Sequence, residues 1–398
     1  MMTKSTRLSE LLDRFGPSAW FASRKRRPLS VAVMGAGNGG LAMAADLALA
    51  GHRVRLYNRG SERLAPVFAR GGIELSKDGP AGENGEPVFV RPELVTTDPA
   101  AAIGGAQLLM VVVPAIGHRQ MAERCAPHLT DGQVVVLNPG RTGGALEFKA
   151  TLEAAGCRAD VVVAEASTFL FAARAVGPAR ARIHGTKRRV TFAALPASRN
   201  PEVAALLDRA YPGRFVPASS VLETSLENIG AVFHPAITLL NAGRIEDDPT
   251  GFEFYRQGAS PSVVRIIEAV DAERCRIALA LGVPHVTALE WMRRSYGVNA
   301  PDLLGALRAN PGYAGIPAPS ELQHRYLTED IPASLVPMAS LGHLLGVPTP
   351  AIRSLVDLAS SMHGLDYFTV GRTVERLGLD GSSVAEIMSQ VLEGSEVA

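Results

Sequence analysis

Three stretches of the chain carry residue types suited to chemistry. The first, Gly35-Ala36-Gly37-Asn38-Gly39-Gly40, has glycines spaced like a phosphate-cradling loop. Gly35 permits a tight turn, Gly37 lets the backbone approach a pyrophosphate, and Gly40 lets a following helix sit close to a sheet. The amides and dipole of that helix then face the anion. The second stretch places His234, a titratable group, in the apolar run Ile229-Gly230-Ala231-Val232-Phe233-His234-Pro235. Pro235 predicts a kink or restart of the helix at His234, with Thr238 and Asn241 on the same helical face. The third is Arg325-Tyr326-Leu327-Thr328-Glu329-Asp330-Ile331-Pro332, which predicts Asp330 at the end of a loop, before a helix that begins near Pro332. A carboxylate there can orient His234 and stabilise its imidazolium, while Arg325 can clamp a substrate carboxylate through paired hydrogen bonds.

Each stretch also has a plain structural reading. The glycines can form an ordinary turn, His234 can be satisfied within a core, and Arg325 with Glu329 can be a surface pair one helical turn apart. His118 is a minor further candidate. The remaining histidines lie in turn-like or helix-end settings and need no special role.

The elements around these residues favour the chemical readings. Leu29–Met34 is a short apolar, β-branched run that leads straight into the glycines. Asn38–Ala50 reads as a helix stopped by Gly51, and Arg53–Tyr57 as a second strand, so the loop has the context that a dinucleotide requires. Further strands are expected at Leu108–Val113, Val134–Leu137, Val161–Ala164 and Arg189–Leu195, with a small hairpin insert at Gly71–Leu75 and Val88–Val95. Pro114 and Asn138-Pro139-Gly140 then fall on the carboxyl edge of the sheet, against the cofactor. No carboxylate closes the second strand, where Asn58-Arg59 stands instead. This tilts the expected cofactor from NAD(H) towards NADP(H), because Arg59 can pair with a 2′-phosphate.

From Val221 onward the pattern is helical: Glu223–Asn241, Ser262–Leu281, Val286–Tyr296, Leu335–Leu345 and Thr349–His363. The fold class expected is an α/β Rossmann-type doubly wound sheet followed by an all-α C-terminal domain. The expected divisions are a basic N-terminal extension (1–28), a dinucleotide-binding domain (29–205) and a helical substrate domain (206–398). The extension is amphipathic around Leu8–Phe15 and basic at Arg24–Arg27, and reads as a solvated linker and not a signal peptide.

Composition narrows the class of function. A chain of 398 residues with 47% hydrophobic and 20% charged residues fits two packed domains. The net charge of +1 gives no global attraction to nucleic acid or anionic membrane. Three cysteines without metal-ligand spacing point away from a disulfide framework or a metal site and towards a reducing, cytoplasmic setting. No apolar run reaches the roughly 18 residues needed to span a bilayer. The apolar helical surface permits a homodimer.

Taken together, the glycine loop, Asn228–Glu246 (NIGAVFHPAITLLNAGRIE) and Arg325–Pro350 (RYLTEDIPASLVPMASLGHLLGVPTP) resemble the opine dehydrogenases of the octopine/nopaline type. The resemblance runs from about Leu29 to the C-terminus and includes Asp366-Tyr367-Phe368. It implies a Rossmann domain followed by a helical one. It also implies NAD(P)H-dependent reductive condensation of an α-keto acid, such as pyruvate, with the amino group of an amino acid through an imine. Its catalytic pair maps onto His234 and Asp330, and its carboxylate-binding arginine onto Arg325. Two other readings stand beside it: a simple NADP-dependent 2-keto acid or hydroxyacid reductase, and a nucleotide-sensing protein without catalysis.

Overall fold

The computed structural model describes residues 27–79, 85–248 and 250–394. The sequence's amphipathic and basic stretches at Leu8–Phe15 and Arg24–Arg27 lie largely outside these residues.

Strand β1 (Ser30–Met34) ends in the glycine loop, and helix α1 (Asn38–Leu49) returns the chain to β2 (Arg53–Tyr57). Strands β6 (Leu108–Val111), β7 (Val134–Leu137) and β8 (Val162–Ala166) extend the parallel sheet on the other side of β1. β5 (Leu94–Thr96) closes the β2 edge. β11 (Val190–Leu195) joins β8 antiparallel, and β12 (Phe215–Pro217) runs parallel to β11. The order is β12-β11-β8-β7-β6-β1-β2-β5. The central strands are buried on both faces, as a sheet covered by helices requires, and so they read as continuous Val/Leu/Ala runs.

The expected hairpin insert is part of something larger. β3 (Ile73–Lys77) pairs antiparallel with β4 (Val88–Val90), but it also pairs with β10 (Arg180–Thr186), which in turn pairs with β9 (Phe171–Gly177). This four-stranded sheet covers α1. Its second half escapes the sequence pattern because Ala and Arg, weak strand formers, fill β9 and β10. The main sheet also runs on to Pro217, past the 205/206 division expected from sequence. A strand of three residues is too short to show alternation.

Beyond Val221 every regular element is helical among the described residues. The expected helix Glu223–Asn241 is two: Val221–Leu226 and α2 (Ile229–Leu239), parted at Glu227-Asn228. α2 runs through Pro235, so the chain neither stops nor restarts at His234. α3 (Pro261–Ala280) packs on α2, and α4 (Pro350–His363) packs on both. These helices share one apolar core with a face of the main sheet, joining Leu137 and Val163 to Leu226 and Phe233.

The segment around Asp330 also differs from expectation. A single turn, Arg325–Thr328, passes into a wide π turn, Ile331–Leu335, that feeds helix Val336–Leu344. Asp330 therefore has helical backbone angles and is not at the end of a loop. Pro332 is tolerated because the first turn of a helix needs no donor there.

Candidate active site

The glycine loop has the shape that a dinucleotide requires. Gly35 has φ of +124°, and a side chain there would collide with the Val112 carbonyl; one at Gly40 would collide with the Gly35 carbonyl. A Cβ at Gly37 would meet only the Arg63 guanidinium, at 3.2 Å, so the cradle is open on that side and lined by a cation. The first α1 hydrogen bond is Leu41 N–H to Gly37 O, which leaves the preceding amides facing the cradle. Asn58 braces the loop: its Oδ1 accepts from the Ala36 amide at 3.2 Å and its Nδ2 donates to Gly60 O. Asn38 is held from the second sheet by the Ala175 amide, at 3.0 Å. Gly39 lies against the Phe169 ring. Arg59 is exposed and donates to Gln120 at 2.8 Å, and Pro114 introduces the short turn Ala115–Gly117 on the sheet's carboxyl edge. These residues fit a nicotinamide dinucleotide.

The helical half presents His234 to that edge. His234 Nδ1 lies 2.6 Å from Asp330 Oδ2, and its Nε2 lies 2.8 Å from the Tyr255 hydroxyl. Tyr326 stacks on the imidazole with centroids 4.1 Å apart. Gly230, one turn before His234 on α2, makes room: a Cβ there would stand 3.1 Å from the imidazole and 3.3 Å from the Arg141 guanidinium.

Arg141 is the residue that sequence reasoning missed at the centre of the site. It follows β7 with φ of +63°, a conformation uncommon outside glycine. Its guanidinium reaches Asp330 at 3.4 Å, Glu329 at 3.5 Å and Asn228 Oδ1 at 3.2 Å. Burial pushes the Asp330 carboxyl up, but Arg141 and the hydrogen bond from His234 outweigh burial and hold it below the ordinary carboxylate range. The Asn228 amide donates onward to Ser334. Glu329, nearly buried, accepts from the Ala115 amide and from Arg325, so one carboxylate ties the β6 loop to the helical half.

A second buried group fixes the loops themselves. Arg372 is 2% exposed and pairs with Glu147 at 2.6 Å. It also donates to the carbonyls of Gly140, Thr142 and Ala115, and to His118 Nδ1 at 2.9 Å. Glu165, at the end of β8, accepts from the Ala145 amide, Thr224 and Ser225. Both residues join the two halves through contacts that no local spacing announces.

The structure thus brings His234 and Asp330 together and lays the glycine loop, Asn58 and Pro114 along one edge. Arg325 is different: its side chain is 57% exposed and pairs with Glu329 at the rim. Asn241 donates to Ile237 O and Gly258 O, so its amide nitrogen braces a turn and does not reach the imidazole. His118 is fully buried, and burial together with Arg372 holds its pKa well below the ordinary value. Among the described residues no group of His, Cys, Asp and Glu could hold a metal ion, and no helix is long and apolar enough to cross a membrane.

Both halves of the chain resemble known proteins. Residues 217–363 match the family described as NAD/NADP octopine/nopaline dehydrogenase, alpha-helical domain, and residues 31–197 match ketopantoate reductase PanE/ApbA. The chain is 40% identical over 360 residues to an opine dehydrogenase of Arthrobacter sp. (strain 1C), covering 90% of this chain and 98% of that protein. Among solved structures, octopine dehydrogenase with NADH and L-arginine superposes with a TM-score of 0.78 at 23% identity, over 91% of this chain and 98% of that one. NADP+-bound yersinopine dehydrogenase does so with a TM-score of 0.69 at 19% identity, over 92% and 98%. With the cradle and the helical half both accounted for, the chain belongs to the opine dehydrogenases, NAD(P)-dependent oxidoreductases acting on the CH–NH group.

Proposed function

We propose that the enzyme reduces the imine formed between an α-keto acid, pyruvate-like in size, and the amino group of an amino acid. The observation that carries this reading is His234, held by Asp330 at 2.6 Å and set against the carboxyl edge of a nucleotide-binding sheet. Holding amine and keto acid together in the cleft makes their condensation effectively intramolecular. His234 takes a proton from the incoming ammonium and returns one when the carbinolamine loses water, while Asp330 fixes the ring and balances its charge. To Arg325, exposed at the rim where it pairs with Glu329, we assign the binding of a substrate carboxylate. A bound reduced nicotinamide supplies the hydride for the imine carbon.

We also propose a preference for NADPH. Asn58 is spent on bracing the loop, no carboxylate ends β2, and Arg59 and Arg63 stand at the cradle's rim. The test is cofactor oxidation with pyruvate across a panel of amino acids, with each amine omitted in turn. The expected result is oxidation that requires the amine and is faster with NADPH, and a preference that falls in Arg59→Ala. Oxidation without any amine would favour a simple keto acid reductase.

A further inference from the structure

The geometry points to Tyr255 as the residue that carries the proton between His234 and the reacting substrate. This rests on the acid/base reading of His234 given above.

Both nitrogens of the His234 ring are engaged, Nδ1 by Asp330 and Nε2 by the Tyr255 hydroxyl, and Tyr326 covers one face. An imidazole so enclosed has no free nitrogen to offer a substrate. Either Tyr255 moves away or the proton passes through it. The ring is firmly seated: it stacks on Tyr313 with centroids 3.9 Å apart and meets Phe254 and Phe233 edge-on at 5.0 Å and 6.5 Å. Only 7% of the residue is exposed. Transfer through the hydroxyl therefore costs less rearrangement than displacement.

Asp330 also sets the direction of the hydrogen bonds. Its carboxylate can only accept, so in the neutral imidazole Nδ1 carries the hydrogen and Nε2 the lone pair into which Tyr255 donates. Burial, with Tyr326 and Tyr313 adding, keeps the phenol far above its usual pKa, which disfavours a free tyrosinate and favours concerted transfer. In amine activation the Tyr255 proton moves to Nε2 as its oxygen takes a proton from the ammonium. In dehydration Nε2 returns a proton to the Tyr255 oxygen, whose own proton goes to the carbinolamine hydroxyl. The C–O bond breaks, water leaves with that electron pair, and the nitrogen lone pair closes the C=N bond.

The experiment compares wild type with Tyr255→Phe, which keeps the ring and removes the hydroxyl. Single-turnover NADPH oxidation with keto acid and amine is measured in mixtures of H2O and D2O. The expected result is a rate lower by at least about tenfold with KM nearly unchanged, and a solvent-isotope dependence that is bowed in wild type and straight in the variant. The bowing reports two protons in flight and does not depend on the folded fraction, so partial instability does not mask it. An unchanged or higher rate, or bowing that persists in the variant, would overturn the relay. Failure of the opine reading shows itself separately, as wild-type enzyme that does not respond to the amine.

Discussion

His118 and His234 are built from the same parts in a different order. Each histidine is joined with an arginine and carboxylates gathered from both halves of the molecule. At His118 the arginine is next to the ring: Arg372 donates to Nδ1 through one Nη and to Glu147 through Nε. A proton added there would meet both burial and a neighbouring cation. At His234 a carboxylate stands between ring and arginine, and the second nitrogen meets a hydroxyl. There the ring's immediate neighbour is a carboxylate, 2.6 Å away. The order of charges separates a clasp from the ring to which we assign acid/base work.

The comparison can be broken most forcefully at the clasp. Arg372→Met leaves Glu147 buried and unpaired and frees three carbonyls, and is expected to cost about 3–5 kcal/mol in denaturant unfolding. A variant of normal stability that had lost turnover would mean that this cluster, too, takes part in chemistry. Next is His234→Ala, for which turnover should fall by roughly two orders of magnitude or more while cofactor affinity, followed by fluorescence titration, stays the same. Near-normal turnover would put His234 in the same class as His118. The smallest effect expected is that of Arg141→Gln, a loss of about 2 kcal/mol at neutral pH. Asp330 is depressed in the folded protein, so its contribution is complete above the ordinary value of 3.8 and is lost as pH falls through the folded-state value. The stability difference between wild type and Arg141→Gln should therefore shrink in acid. A difference that held constant with pH would assign Arg141's contribution to packing.

Much of the nucleotide-binding half is legible in the sequence because its signals are local. A strand, three spaced glycines, an alanine-rich helix and a second strand fall within thirty residues. His234 and Asp330 stand out for a similar reason, each a polar group just before a proline, His234 within an apolar run. Their setting is not legible. Arg141 reaches Asp330 and Glu329 across 188 residues or more, and Arg372 reaches Glu147 across 225. Neither distance leaves a periodic trace. Tyr255 has the same character, being an ordinary aromatic until α2 turns the imidazole towards it. The spacing of Arg325 and Glu329 announces their pairing but does not say that the carboxylate is the buried partner. The second sheet stayed hidden because β3 finds β10 across more than a hundred residues.

The Arg372 clasp has a consequence for how the enzyme is made. Translation delivers the glycine loop, the main sheet and even Arg141 long before Arg372 leaves the ribosome, and early domains generally fold as they emerge. Until that late residue arrives, the loops after β6 and β7 lack the guanidinium that holds their carbonyls. The edge that faces His234 is thus completed by a residue made at least 230 positions after the loops it holds.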